Sequence, residues 1–119
     1  MAINAVGLNY MLDQLKTAGK VAYMALFTDD AATVEVSGGS PAYARKAVTW
    51  DAAGTGGAGR IQLNSTLPNF DVPACTVKAV GFYDTLTGGT QYSMYNVSPD
   101  EVFASQGIYS ISAGSTSIT

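Results

Sequence analysis

Few residues of this 119-residue chain could do acid–base or nucleophilic chemistry, because it contains one cysteine and no histidine. Asp29 and Asp30 are adjacent carboxylates, but successive side chains of an extended segment point to opposite faces, so the two cannot easily act on one substrate. Aspartate is frequent in turns, and calcium demands more oxygen ligands than this region offers. We therefore predict a solvated turn here, in preference to a calcium site or a catalytic pair.

Histidine-dependent chemistry is excluded by the same composition. Zinc sites combine cysteine and histidine at defined spacings, and a Ser-His-Asp or Cys-His arrangement needs a histidine. The single cysteine, Cys75, lies in the apolar run PACTVKAV and is predicted to be a buried, inert thiol. We predict no catalytic residue, no metal ligand and no cofactor, and we expect that the protein is not an enzyme.

Two glycine-rich stretches could contact an anion. The first, GTGGAG (54–59), lacks the Lys-Ser/Thr ending and the following helix of a phosphate loop, so a flexible loop is favoured. The second, SGGSPAYARK (37–46), could form a nest of backbone N–H groups assisted by Arg45 and Lys46. Strand alternation places those two cations on opposite faces. We favour a turn that leads into a strand, with Arg45 in a salt bridge or a subunit contact.

The composition limits the partners that the chain can have. Hydrophobic residues make up 47% and charged residues only 13%, well below the usual quarter. Such a surface suits a protein that packs against copies of itself or against a larger assembly, although a small domain with a Thr/Ser-rich surface is the alternative. With a net charge of −3 and six scattered cations, nucleic acid is not an expected partner.

The N-terminus, MAINAVGLNYML, has neither the charged region nor the long apolar core of a secretory signal, and no apolar run approaches the length of a membrane span. We expect synthesis and folding in a cytoplasm and no contact with a membrane.

The elements that must position these residues are one helix and several short strands. Leu8, Met11, Leu12 and Leu15 recur at helical spacing, which predicts an amphipathic N-terminal helix. VAYMALF (21–27) is apolar at every alternating position, as in a strand covered on both faces. Further strands are predicted at 32–36, 43–50, 61–63, 76–83, 91–97 and 108–113, with TLTGGT (85–90) as a hairpin connection.

Ser98-Pro99-Asp100-Glu101 predicts a second helix. The serine is a candidate N-cap, the proline occupies the first helical position, and the glutamate completes a capping box. We therefore predict a short helix near residues 99–104. The predicted fold is mainly β: a single-domain, jelly-roll-like β-sandwich over residues 1–119, with about seven strands, an N-terminal helix and this short helix.

Four stretches, in order, resemble a family of small structural proteins of tailed phages, especially phages of actinobacteria. They are AVGLNYMLDQL, EVSGGSPAYARKAVTWDAA (35–53), AVGFYDTLTGGT (79–90) and FASQGIYSIS (103–112). Members are usually described as tail fibre-like or minor tail proteins, and related small β-sandwich proteins decorate capsids. Relatives often carry a His-Thr-Ala/Gly-Asp-Pro-like stretch after the first strand. Here that stretch reads LFTDDAAT (26–33), without histidine or proline.

The resemblance implies a non-enzymatic protein on the surface of a virion, tail fibre-like or minor tail, that contacts other tail subunits. Capsid decoration, through contacts with the major capsid subunits, is one alternative. A module that binds carbohydrate or the host surface, using loops 28–40 or 85–90, is another. A homo-oligomer is implied, with a trimer as one option. Because tyrosine is enriched at interfaces, we predict Tyr43, Arg45, Tyr92 and Tyr95 as subunit-interface residues.

Overall fold

The computed structural model describes residues 4–52, 60–62, 68–110 and 115–117. These residues form one helix and eight strands, so the prediction of a mainly β protein with an N-terminal helix is confirmed. The elements are α1 (Ala5–Thr17), β1 (Tyr23–Phe27), β2 (Lys46–Ala47), β3 (Arg60–Gln62), β4 (Asn69–Val72), β5 (Cys75–Tyr83), β6 (Gln91–Phe103), β7 (Gly107–Ser110) and β8 (Ser115–Ser117).

Helix α1 begins at Ala5 because the side chain of Asn4 accepts a hydrogen bond from the backbone N–H of Gly7, at 3.0 Å. Its last turn carries Lys16, a cation near the negative end of the helix dipole. Leu12 is fully buried and anchors the helix on the sheet. No helix in the described part of the chain combines the length and apolarity needed to cross a membrane.

Strand β1 is central to a four-stranded antiparallel sheet of order β2-β1-β5-β6. Met24 and Leu26 belong to the main core cluster on the face that α1 covers, together with Phe82 of β5. Ala25 and Phe27 belong to a second cluster on the opposite face, with Ala79. The strand is therefore buried on both faces, as its unbroken apolar sequence predicts.

Strands β5 and β6 form a hairpin whose antiparallel course is continued by two further strand pairs. Strand β4 pairs with β7, so that Val72 lies opposite Gly107. Strand β3 pairs with β8, so that Arg60 lies opposite Ser117. The two arms thus run side by side from the connection at residues 84–90 to the chain's last described residues, which brings β6 and β7 onto one continuous arm.

The predicted short helix near residues 99–104 is wrong, because β6 runs through it to Phe103. Val102 pairs with Thr76 and Phe103 with Cys75, and Phe103 packs against the main core. A helix would break this pairing and withdraw Phe103 from the core. The capping signal is worth about 1 kcal/mol, which is less than the strand pairing and the apolar burial it would forfeit.

Two other predicted strands are shorter than expected. Of residues 43–50 only Lys46–Ala47 is a strand, and 32–36 contributes a single bridge between Glu35 and Phe27. The glycine-rich loop at 53–59 and the end of the last predicted strand, 111–113, lie outside the described residues.

Candidate interaction surfaces

Arg45 is held inside the chain by a paired contact with Glu35. Its Nε lies 3.0 Å from Oε2 of the carboxylate and its Nη2 lies 2.9 Å from Oε1, which is the two-pronged geometry that makes such pairs strong. These bonds raise the pKa of the guanidinium above its already high ordinary value. Only 8% of Arg45 is exposed, so the cation is buried and needs this partner.

The remaining edge of the same guanidinium ties down the loop that joins β5 to β6. Nη1 donates to the backbone carbonyls of Thr85, at 3.0 Å, and Gly88, at 2.7 Å. The cation also lies over the ring of Tyr83, 3.8 Å from its centroid. Arg45 therefore joins three segments that are far apart in sequence, and the predicted salt bridge is confirmed.

Tyr43 belongs to the same network. Its hydroxyl donates to Oε2 of Glu35, at 2.8 Å, and accepts from the backbone N–H of Leu26, at 2.9 Å. Burial is the largest cause that raises the pKa of this phenol far above its ordinary value, so it remains a donor. Both hydrogen-bonding functions of Tyr43 are thus used within the chain. That Tyr43 and Arg45 also contact a second subunit stays a prediction.

The loop at residues 84–90 is fixed from within as well as by Arg45. Oδ1 of Asp84 accepts from the N–H of Thr90, and the hydroxyl of Thr85 donates to the carbonyl of Thr87. Its outermost side chain, Leu86, is half exposed. The loop therefore presents an apolar side chain on a rigid support.

Tyr92 lies in an apolar groove between α1 and β6, which we call the α1–β6 groove. The groove has a volume of about 470 Å³ and is lined by Tyr10, Met11, Gln14, Leu15, Ala18, Lys20 and Tyr92. Tyr10, Met11 and Tyr92 are 56%, 44% and 40% exposed. Nζ of Lys20 lies 5.5 Å from the centroid of the Tyr92 ring. Large apolar side chains exposed together mark a contact surface more often than scattered ones do.

Tyr95 lies further along β6, in a second depression that we call the β6–β7 cleft. The cleft has a volume of about 490 Å³ and is lined by Tyr95, Asn96, Val97, Ser98, Pro99, Glu101, Phe103, Ile108, Tyr109 and Ser110. The ring of Tyr95 packs 6.1 Å from that of Phe82 in the core. Tyr92 and Tyr95 therefore belong to two different surfaces, and a role for either in a subunit interface stays a prediction.

The groups that first suggested chemistry have structural roles. The carboxylate of Asp29 accepts hydrogen bonds from the backbone N–H groups of Thr33 and Val34 and from the hydroxyl of Thr33, which together lower its pKa and confirm the predicted turn. The Cys75 thiol is partly buried, which raises its pKa and makes it a poor nucleophile. No group of three or more potential metal ligands occurs among the described residues.

Sequence reasoning missed two partners that only the fold brings together. Glu35 was assigned to a strand and not paired with Arg45, ten residues later. Gln106 was not singled out, yet its Oε1 accepts from the N–H of Ser40 and its Nε2 donates to the carbonyl of Pro41, both at 3.1 Å. Strand alternation places Tyr43 and Arg45 on one face, which was the one signal available for the shared carboxylate.

Comparison with known protein families gives one result that bears on function. A family model described as "Podophage GP4 fiber I protein gp80" matches residues 4–119. Comparisons with curated proteins and with solved structures gave no match. The description names a phage fibre, in agreement with the resemblance to tail fibre-like proteins, and gives no support to an actinobacterial host.

Proposed function

This chain belongs to the family of the podophage GP4 fiber I protein gp80, and we propose that it is a non-enzymatic structural protein of a phage tail fibre. The match over residues 4–119 carries the proposal, because it spans nearly the whole chain and the family description specifies a fibre. The protein is a virion component by this assignment, made in the cytoplasm of the host. Capsid decoration is the alternative that the family description does not favour.

The protein works through contacts with other protein chains, and the α1–β6 groove is the surface best suited to them. Its exposed apolar side chains belong to two rigid elements, a capped helix and a paired strand, so little ordering would be needed on binding. Strand β6 also lies at the end of the four-stranded sheet. A second copy of the chain is the proposed occupant, in a homo-oligomer for which a trimer is one option.

The charges around the groove agree with an apolar partner surface of this kind. Lys20 stands at its rim and Gln14 is its one uncharged polar side chain, so no carboxylate has to be desolvated when the groove is covered. A copy of the chain offers matching apolar groups, because the same tyrosines and methionine are present on both sides of a symmetric contact.

The test of this contact is the oligomeric state of groove variants. We expect Met11→Asp with Tyr92→Asp to shift the protein from oligomer to monomer in sedimentation velocity, with unchanged circular dichroism. Leu86→Asp is the matched control, since it places the same charge on an exposed apolar residue outside the groove. An unchanged oligomer in the double variant, or a wild-type protein that is monomeric at every concentration, would contradict the proposed contact.

Gold-labelled antibodies against this chain test the location. Labelling confined to the tail fibres of intact virions supports the fibre assignment. Labelling spread over the capsid shell would replace it with decoration, and unlabelled particles would exclude both.

A further inference from the structure

The β6–β7 cleft exists because β6 is irregular at one point. Val77 pairs with Glu101, whereas Ala79 pairs with Asn96, so residues 97–100 all lie opposite Lys78 alone. Extra residues on one strand form a bulge, which bends the strand and redirects its side chains. The bend separates the two halves of β6 and opens the space between its second half and β7. Bulges of this kind are frequent beside binding sites.

Two phenol hydroxyls in the cleft have no hydrogen-bond partner among the described residues. They belong to Tyr95 and Tyr109, whose rings are half-buried in the cleft wall. No buried side-chain polar atom in the described structure lacks a partner, so these hydroxyls are open to the cleft and not sealed in the core. Tyrosine hydroxyls in partly buried places usually find a partner, and an open pair in one cleft is suited to a ligand.

The charged and apolar groups around the two hydroxyls complete a recognisable set. Glu101 supplies a carboxylate acceptor close enough to Tyr109 to raise the pKa of its phenol. Burial raises the pKa of Tyr95 to about 12, so both phenols remain donors. Phe103 meets the Tyr109 ring edge to face at 6.3 Å and forms an apolar floor. Ser98 and Ser110 add exposed hydroxyls at the rim.

We propose that the β6–β7 cleft is a binding site for a short neutral saccharide, held by the hydroxyls of Tyr95 and Tyr109, the carboxylate of Glu101 and the aromatic floor. A sugar carries many hydroxyls that both donate and accept, next to C–H faces that pack on aromatic rings. The cleft volume, about 490 Å³, falls within the range of small-molecule sites. An acidic sugar is disfavoured because Glu101 would repel it in a chain of net charge −3.

This site differs from the loops, 28–40 and 85–90, in which the sequence placed a sugar-binding function. Loop 85–90 uses its polar groups on itself and on Arg45, and Asp29 is saturated by its own turn. The cleft is also separate from the α1–β6 groove, with which it shares no lining residue. The proposal therefore goes beyond the structural role, and the fibre assignment does not depend on it.

The test is an NMR titration of the isotope-labelled protein with maltose, lactose, cellobiose and chitobiose, followed at the backbone amides. We expect at least one of these disaccharides, at millimolar concentration, to shift amides of residues 95–101 and 107–110 in a saturable way. Glucuronic acid is the charged comparator and should shift the same amides less.

Variants identify the groups that bind. Tyr95→Phe and Tyr109→Phe keep the rings and remove one hydroxyl each, so each should weaken the responding disaccharide about fivefold, the effect of one lost hydrogen bond. Tyr10→Phe, outside the cleft, is the matched control and should bind as the wild type does. Thermal unfolding of each variant checks that the fold is retained.

Three results would overturn the proposal. One is the absence of any saturable shift with all four disaccharides. A second is a shift that is equal in the wild type and in the Tyr95→Phe, Tyr109→Phe double variant. The third is cleft amides that shift with protein concentration and not with sugar, which would make the cleft an interface between copies of the chain. The antibody labelling of virions is unaffected by any of these, so the two proposals fail separately.

Discussion

The carboxylate of Glu35 receives two hydrogen bonds from the guanidinium of Arg45, of 3.0 and 2.9 Å, and the same cation binds two carbonyls of the loop that joins β5 to β6. One buried side chain thus fixes a surface loop to the sheet. The arrangement gives Arg45 an intramolecular role that any contact with a second subunit would add to.

Replacing Arg45 by alanine should lower the free energy of unfolding by about 3 kcal/mol, because it leaves the Glu35 carboxylate and two loop carbonyls without their donor. Arg45→Lys should recover only part of this, since an ammonium cannot make the paired contact. Chemical denaturation of the monomer measures the effect. Lys46→Ala, its sequence neighbour, is the control and should cost little. A stable Arg45→Ala monomer that fails only in assembly would instead make Arg45 an interface residue.

Two adjacent glycines of the pinned loop should respond differently to alanine. Gly88 and Gly89 both have positive φ, of 63° and 75°, so each substitution carries a backbone cost of about 1–2 kcal/mol. A Cβ at Gly88 meets nothing within 4 Å, whereas one at Gly89 would collide with the side chains of Thr85 and Asp84. Gly89→Ala should therefore cost ~1 kcal/mol more than Gly88→Ala in denaturant unfolding. Equal costs would show that the loop adjusts freely.

Alkaline pH should destabilise the protein through its buried phenols. The pKa of Tyr95 is about 12 in the folded chain, against an ordinary 10.0. Between these values the folded state holds the proton that the unfolded state has lost, so the free energy of unfolding falls as the pH rises from 10 towards 12. Tyr95→Phe should flatten this part of the stability profile, and Tyr10→Phe should leave it unchanged. A Tyr95→Phe profile that follows the wild type would refute the assignment.

The Gln106 side chain should act as a clamp between two turns. Gln106→Ala removes the hydrogen bonds to Ser40 and Pro41 and should cost about 1 kcal/mol, a modest value because the site is exposed. Gln106→Glu keeps the acceptor for the Ser40 N–H, loses the donor for the Pro41 carbonyl, and should fall between alanine and wild type. Ser105→Ala serves as the control in thermal unfolding. No difference between these variants and the wild type would mean that the clamp contributes nothing measurable.

Local periodicity was enough to predict α1, the doubly buried β1 and the hairpin connection at 85–90, because in each the pattern of apolar and turn residues reflects the element's own surroundings. Residues 98–101 failed for the opposite reason. Their capping-box sequence has a local meaning, but Phe103 and its pairing with Cys75 decide the conformation from 28 residues away. The proline and acidic residues that resemble a helix start instead form the bulge that opens the β6–β7 cleft.

The candidate surfaces were less predictable than the fold. Tyr43, Arg45, Tyr92 and Tyr95 were grouped by residue type, but the structure distributes them over an internal network, a groove and a cleft. Alternation indicates which side chains share a strand face. It carries no information on which distant segment covers that face, and so it could not reveal Glu35 beneath Arg45 or Tyr109 beside Tyr95.

The fibre assignment is tested most directly by counting this chain in purified virions against the major capsid protein, using quantitative mass spectrometry with isotope-labelled peptide standards. The account predicts that the chain is present at a small fraction of the capsid copy number, in a multiple set by the symmetry of the tail fibres. A copy number close to that of the capsid protein would contradict a fibre and indicate decoration of the shell. Absence from the particle would contradict a structural role in the virion.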